Sequence, residues 1–159
     1  MASKTNQQSL PELVNAAQSE ARTLGATSIE AEHLLLAISA RPDTPAGRVL
    51  HHFGLLHDRL IDLIGGERAR SLAFIGVDPA ELGATATPPR KSGRLPLATS
   101  SKQALARVVA GAGRKRDQLN VLELLRALVG TEVGTVARLL ALARVDRTDL
   151  INQLKGLNP

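Results

Sequence analysis

The sequence predicts an all-α fold: a pseudo-twofold bundle assembled from two four-helix copies of one unit. Three observations carry this. First, Ile29–Ile64 aligns without a gap with Leu119–Leu154, 90 residues downstream. Leu34/Leu124, Leu35/Leu125, Ala37/Ala127, Arg48/Arg138, Leu50/Leu140, Leu60/Leu150 and Ile61/Ile151 are identical pairs, and other apolar positions match in kind (Ile29/Leu119, Val49/Leu139, Leu55/Val145). A repeat of this length reads as a duplicated supersecondary unit. Second, the chain is 43% hydrophobic but only 1% aromatic, Phe53 and Phe74 alone, so its core must be aliphatic. Third, the apolar residues recur at helical spacing.

The first helix is announced by Leu10, Leu13, Val14, Ala17, Ala21 and Leu24, which form one apolar stripe. Ser9 is its expected N-cap, Glu12 completes a capping box, and Pro11 suits the first turn. Gly25 ends it. Ser28 is the expected cap of a second helix, with Glu30 and Glu32 at the positive end of its dipole. That helix runs through Ile38 and stops before Pro42. A loop over Arg41–Pro45 leads to a third helix at about Ala46–Phe53, ended by Gly54. A fourth covers about Leu56–Ile64 and is expected to stop at Gly65-Gly66.

Residues 1–65 are thus read as the first copy, 66–96 as a linker with short helical turns, and 97–159 as the second copy, all within one compact domain. Within the linker, Gly76 followed by Asp78, Pro79 and Glu81 signals one helix end and a new start. Leu72, Phe74, Ile75 and Leu82 are expected to pack on the bundle. Gly83–Pro96, rich in Ala, Thr, Pro and Arg, reads as a flexible linker. The second copy opens with a stripe of Leu105, Val108, Val109 and Ala112. Gly111 and Gly113 weaken that helix by roughly 1 kcal/mol each relative to Ala. Helices over Leu119–Val129, Val133–Leu142 and Arg147–Leu154 follow, with Thr148 as a candidate cap and Gly156 and Pro159 closing the chain.

Composition narrows the function classes. There is no Cys, hence no disulfide framework, thiolate metal site or Cys nucleophile. No run approaches the roughly 18 apolar residues of a membrane span, and the N-terminus lacks an apolar signal core. The expectation is a soluble cytoplasmic protein. The net charge of +5 is uneven: residues 66–116 hold 10 Lys+Arg against 3 Asp+Glu. Such a segment can meet nucleic acid or an acidic partner, although no aromatic interleaves with Arg90-Lys91, Arg94 and Arg114-Lys115-Arg116 for base stacking. His33, His51, His52 and His57 do not share a helix face at the i, i+4 spacing zinc requires. His33 reads as a buried or capping hydrogen-bond residue. Gly111-Ala112-Gly113-Arg114-Lys115 lacks the Gly-Lys-Ser/Thr end of a phosphate-binding loop. No catalytic constellation, cofactor or metal is expected.

One set of motifs is more specific. Ala17-Gln18-Ser19-Glu20-Ala21-Arg22, then Ile29-Glu30-Ala31-Glu32-His33-Leu34-Leu35-Leu36, resembles the Clp N-terminal repeat of ClpA/ClpB/ClpC-type AAA+ unfoldases. Its signature is A-Q-x-E-A-R, a turn, then I-G-x-E-H-[IL]-L-L, and the ClpC type is most similar. Gly93-Arg94-Leu95-Pro96-Leu97 resembles the G-H-I-P-F entry to the family's second repeat. The resemblance covers roughly residues 9–65 and 93–156. It departs at Leu122-Glu123, where the family has Glu-His, at Leu97 in place of an aromatic, and at Glu30 and Asn120 in place of Gly.

The resemblance implies a non-catalytic module that binds a Clp unfoldase, its adaptors or substrates, or a cyclic-peptide ligand. It would serve as adaptor, competitor or decoy in a Clp chaperone–protease system, including sequestration of Clp-targeting peptide antibiotics. In ClpC-type domains the glutamate of the Glu-His motif helps recognise arginine-phosphorylated substrates, and the face near the second entry binds adaptors and cyclic peptides. The implied binding residues are Glu32 and His33 in the first copy, and Leu97, Lys102 and Leu105 near the second entry. With Leu122 at the position matching Glu32, at most one phosphoarginine-type site is expected. The alternative is a nucleic-acid-binding or regulatory protein using the basic 66–116 segment.

Overall fold

In the computed structural model, residues 8–78, 93–112 and 120–157 are described. Among them are eight α-helices: α1 Leu10–Thr23, α2 Ala31–Ser39, α3 Pro45–His52, α4 His57–Phe74, α5 Thr99–Ala112, α6 Val121–Val129, α7 Thr135–Leu142 and α8 Arg147–Lys155. The fold is all-α. The duplication is visible in the helix boundaries: α2 and α6, α3 and α7, and the starts of α4 and α8 are each offset by 90 residues.

The two copies interlock around one aliphatic core. Helix α2 is buried from His33 to Ser39. It packs on α1, α3 and α4 of its own copy and on α5, α6 and α7 of the other. Helix α3 reaches α6 and α8, and α4 packs on α7. The equivalent leucines Leu34/Leu124 and Leu35/Leu125 are all fully buried. Ridges of Leu, Ile, Val and Ala fill this interior, with Phe53 packed at its margin, and helices lined with such side chains can approach closely.

The backbone also joins the copies. The Ile29 N–H donates to the Pro96 carbonyl (2.8 Å), and the Ala98 N–H donates to the Ile29 carbonyl (2.9 Å). These bonds form an isolated parallel bridge between Ile29 and Leu97. The Ser101 hydroxyl adds a bond to the Ile29 carbonyl at 2.6 Å, and the Leu95 N–H donates to Gln18 Oε1 at 3.0 Å.

Local signals fix several ends as expected. Ser9 and Glu12 form the capping box of α1, and Gly25 follows it with φ 72°. Elsewhere the structure corrects the expectation. Gly65-Gly66 does not end the fourth helix, which continues to Phe74. Two glycines cost roughly 2 kcal/mol of helix propensity, but the following turn is anchored. Glu67 is buried, accepts from Ser71 Oγ at 2.9 Å and pairs with Arg138 of α7. Tertiary contacts override the local breaker.

Phe74 and Ile75 do not pack on the bundle: they are 92% and 68% exposed. Val109 also faces solvent, because the buried stripe of α5 runs through Ser101, Ala104 and Val108. Asp146, not Thr148, caps α8, and Glu30, not Ser28, is the N-cap residue of α2. The expected helix start at Asp78-Pro79-Glu81, together with Leu82, falls largely outside the described residues.

The repeat exposes one strained joint. Gly54 ends α3 with φ 74°, and its counterpart Arg144 holds φ 57°. Both precede the same five-residue turn bond, Leu55 N–H to Leu50 carbonyl (2.8 Å) and Val145 N–H to Leu140 carbonyl (3.0 Å). The left-handed conformation costs a side-chain-bearing residue roughly 1–2 kcal/mol, and glycine returns part of that gain as backbone entropy. Arg144→Gly is therefore expected to stabilise the protein by about 0.5–1 kcal/mol. A raised melting temperature in a calorimetric scan checks this, and a lowered one refutes it.

Candidate functional site

The start of α2 is a polar knot within the apolar core. The Glu30 N–H donates to His33 Nδ1 at 2.8 Å. That bond requires an unprotonated Nδ1, so the neutral ring carries its proton on Nε2. Burial, the largest influence, holds the His33 imidazole below its ordinary pKa, against the pull of the Glu30 and Glu20 carboxylates. His33 is thus a buried capping residue, as its place in the sequence led us to expect. The Glu30 carboxylate is also engaged: Ser100 Oγ donates to it at 2.7 Å and Ser28 Oγ at 3.3 Å. Ser100 Oγ in turn accepts from the Ala31 N–H at 3.0 Å.

Glu32 differs from Glu30. It lies in the first turn of α2, half-buried, and no ion pair holds it among the described residues. Burial pushes its carboxyl above the ordinary pKa. The Glu30 and Glu67 carboxylates push the same way, while a backbone hydrogen bond and the Arg138 guanidinium oppose them. A partly desolvated carboxylate with no ion-pair partner among the described residues favours a ligand bearing N–H donors and positive charge.

Glu32 stands between two concavities. One, of about 300 Å³, is lined by Glu30, Glu32, Ser100, Arg107, Thr131, Thr135 and Arg138, so both copies build its walls. The other, of about 350 Å³, includes Glu32, His33, Ile64, Glu67, Arg68 and Thr135. Arg138 spans the region: its Nε donates to Glu67 Oε1 at 2.5 Å and its Nη2 to Thr135 Oγ1 at 3.2 Å. Arg107 Nη1 donates to Thr131 Oγ1 at 3.3 Å. The cleft therefore offers carboxylate, guanidinium and hydroxyl groups together.

The second copy does not repeat this site. Asn120 caps α6 by accepting from the Glu123 N–H at 2.9 Å. Glu123 is engaged by Arg126, one turn along. Leu122, at the position of Glu32, is half-buried and packs against the core.

The other expected binding residues separate. Leu97 lines a groove of about 440 Å³ with Leu10, Pro11, Val14, Gln18 and Leu95. Lys102 is exposed on α5, and Leu105 packs against the core. Sequence reasoning did not place Glu67, Ser100, Arg107 or Arg138 at the site. They lie from 35 to 106 positions beyond Glu32, and only the Arg48/Arg138 identity marked one of them. Of the basic middle segment, Arg90-Lys91 and Arg114-Lys115-Arg116 lie outside the described residues. Among those described, no helix is long and apolar enough to cross a membrane.

No curated protein matches the chain. Among solved structures it is similar to the crystal structure of the N-terminal domain of the caseinolytic protease associated chaperone ClpD from Arabidopsis thaliana. The TM-score is 0.59 at 18% sequence identity, over 91% of this chain and 88% of that one. At such identity the likeness speaks for the fold. The family model of the Clp repeat (R) N-terminal domain matches residues 5–112, well over half of the sequence. The duplicated helical unit, the Glu32-His33 start of α2 and this match together mean that the chain belongs to the Clp repeat N-terminal domain family.

Proposed function

We propose that this protein is a non-catalytic binding module of a Clp chaperone–protease system, acting through a peptide or protein ligand held at the start of α2. The observation that carries the reading is Glu32: a half-buried carboxylate, raised in pKa by burial, at the edge of a cleft built by both copies. A guanidinium ligand would relieve its desolvation through a charge-assisted pair. Arg107, Arg138 and nearby hydroxyls would face an anionic substituent on that ligand. Phosphoarginine has both features. The second copy offers a leucine at this position, so one site per chain is expected. Recognition of such a group suits an adaptor or a competitor for Clp adaptors. The apolar groove at Leu97 suits a decoy for Clp-targeting cyclic peptides.

Calorimetric titration of phosphoarginine into wild type and Glu32→Ala tests the reading. One site is expected, weakened at least about tenfold by the substitution, the equivalent of about 1.4 kcal/mol. Two equivalent sites, or binding indifferent to Glu32→Ala, would defeat it.

A further inference from the structure

The chain places one of its two phenylalanines almost wholly in solvent. Phe74 closes α4, is 92% exposed, and is followed by Ile75 at 68%. It borders a groove of about 590 Å³ between the last turns of α4 and helix α7. Leu142 supplies apolar floor, and Arg70 and Arg138 supply charge. The carboxylate in the groove, Glu67, is already paired with Arg138. Arg70 is exposed and holds no ion pair among the described residues. The groove thus combines an apolar floor, a free aromatic ring and one uncompensated guanidinium.

We propose that this groove is a docking surface for an acidic amphipathic peptide segment of a partner protein. An apolar side chain of the segment would sit between Phe74 and Leu142, and a neighbouring carboxylate would meet Arg70. Aromatic and arginine side chains are the usual anchors of such contacts, and complementary charge sets partner choice and encounter rate. A second copy of this chain fits less well. A two-fold contact through this face would bring Arg70 towards its own counterpart, on a protein already carrying a net charge of +5. Nucleic acid also fits less well, because a single ring over an aliphatic floor gives no platform for successive bases. The proposal does not rest on the reading built on Glu32, although Arg138 lines both surfaces.

Fluorescence anisotropy tests the proposal with a labelled amphipathic peptide whose polar face is glutamate. The same peptide with lysine and a labelled single-stranded oligonucleotide serve as comparisons. Phe74 and Arg70 are exposed, so Phe74→Ala and Arg70→Glu are expected to fold normally. The glutamate peptide should bind saturably, each substitution should weaken it about tenfold or more, and Arg70→Glu should shift preference to the lysine peptide. Glu32→Ala should leave this binding unchanged, which separates the surface from the phosphoarginine site. The proposal is overturned by equal binding of both peptides, by preference for the oligonucleotide, by Phe74-dependent self-association in sedimentation, or by binding that Phe74→Ala does not alter.

Discussion

Leu35→Ala should lower the unfolding free energy by about 2–5 kcal/mol. Leu35 is fully buried in α2, the helix that touches both copies. Truncation removes buried methyl groups and leaves a cavity, and the core around α2 is fixed by packing from several helices, so little collapse is available. Urea unfolding followed by far-ultraviolet circular dichroism measures the loss, and Leu125→Ala in the equivalent position should behave alike. A cost near zero at either site would mean that the helix faces another way. Domains of this size have total stabilities of about 5–15 kcal/mol, so the loss is a large share of what holds the fold and is expected to shift the urea midpoint well below that of wild type.

Gly47→Ala is expected to be nearly as damaging, although it adds only a methyl group. A Cβ at Gly47 would lie 1.9 Å from the Arg41 carbonyl oxygen and 2.6 Å from its carbon. Backbone cannot step aside as a flexible side chain would. The Arg41 carbonyl is held by the Thr44 N–H (3.1 Å) and by Thr44 Oγ1 (2.7 Å), and Thr44 also caps α3 by accepting from the Gly47 N–H at 3.1 Å. Relieving the clash means opening the 41–44 loop and weakening that cap. Overpacking together with cap loss amounts to about 2–4 kcal/mol. Alanine favours helix over glycine by about 1 kcal/mol, so a stabilising result in the same urea experiment would show that the loop yields freely. The second copy has Ala137 here, after a loop that ends in Gly134 at φ 103°. The close approach belongs to the first copy alone.

Much of this architecture was legible in the sequence because its signals are local or periodic. The alignment of Ile29–Ile64 with Leu119–Leu154 placed α2 and α6 in the same phase, and Ser9 with Glu12 marked the start of α1. Several of the failures share a physical source, since they depend on a residue distant in the chain. Gly65-Gly66 reads as a stop until Glu67 finds Arg138 across the bundle. Ser28 reads as a cap until Ser100 draws the Glu30 carboxylate and His33 takes the Glu30 N–H. Phe74 reads as core because an aromatic in an aliphatic chain is expected inside, and periodicity does not reveal where a helix outruns its neighbours. Glu32 was legible through the family motif. The groups opposite it were not, because α5 and α7 bring them in from the other copy. The left-handed Arg144 could have been found by aligning it with Gly54.

The shared walls of the Glu32 cleft have a thermodynamic consequence. Ser100 and Arg107 come from α5, Thr131 from the turn after α6, Thr135 and Arg138 from α7, and Glu32 from α2. A ligand seated there would touch both halves of the duplication and would find no such arrangement in an unfolded chain or in either half alone. Its binding energy would therefore act as folding energy for the whole bundle, about 2.7 kcal/mol at a free concentration one hundred times its dissociation constant. Occupancy and rigidity would rise together, and the bundle would report its ligand through its own resistance to unfolding.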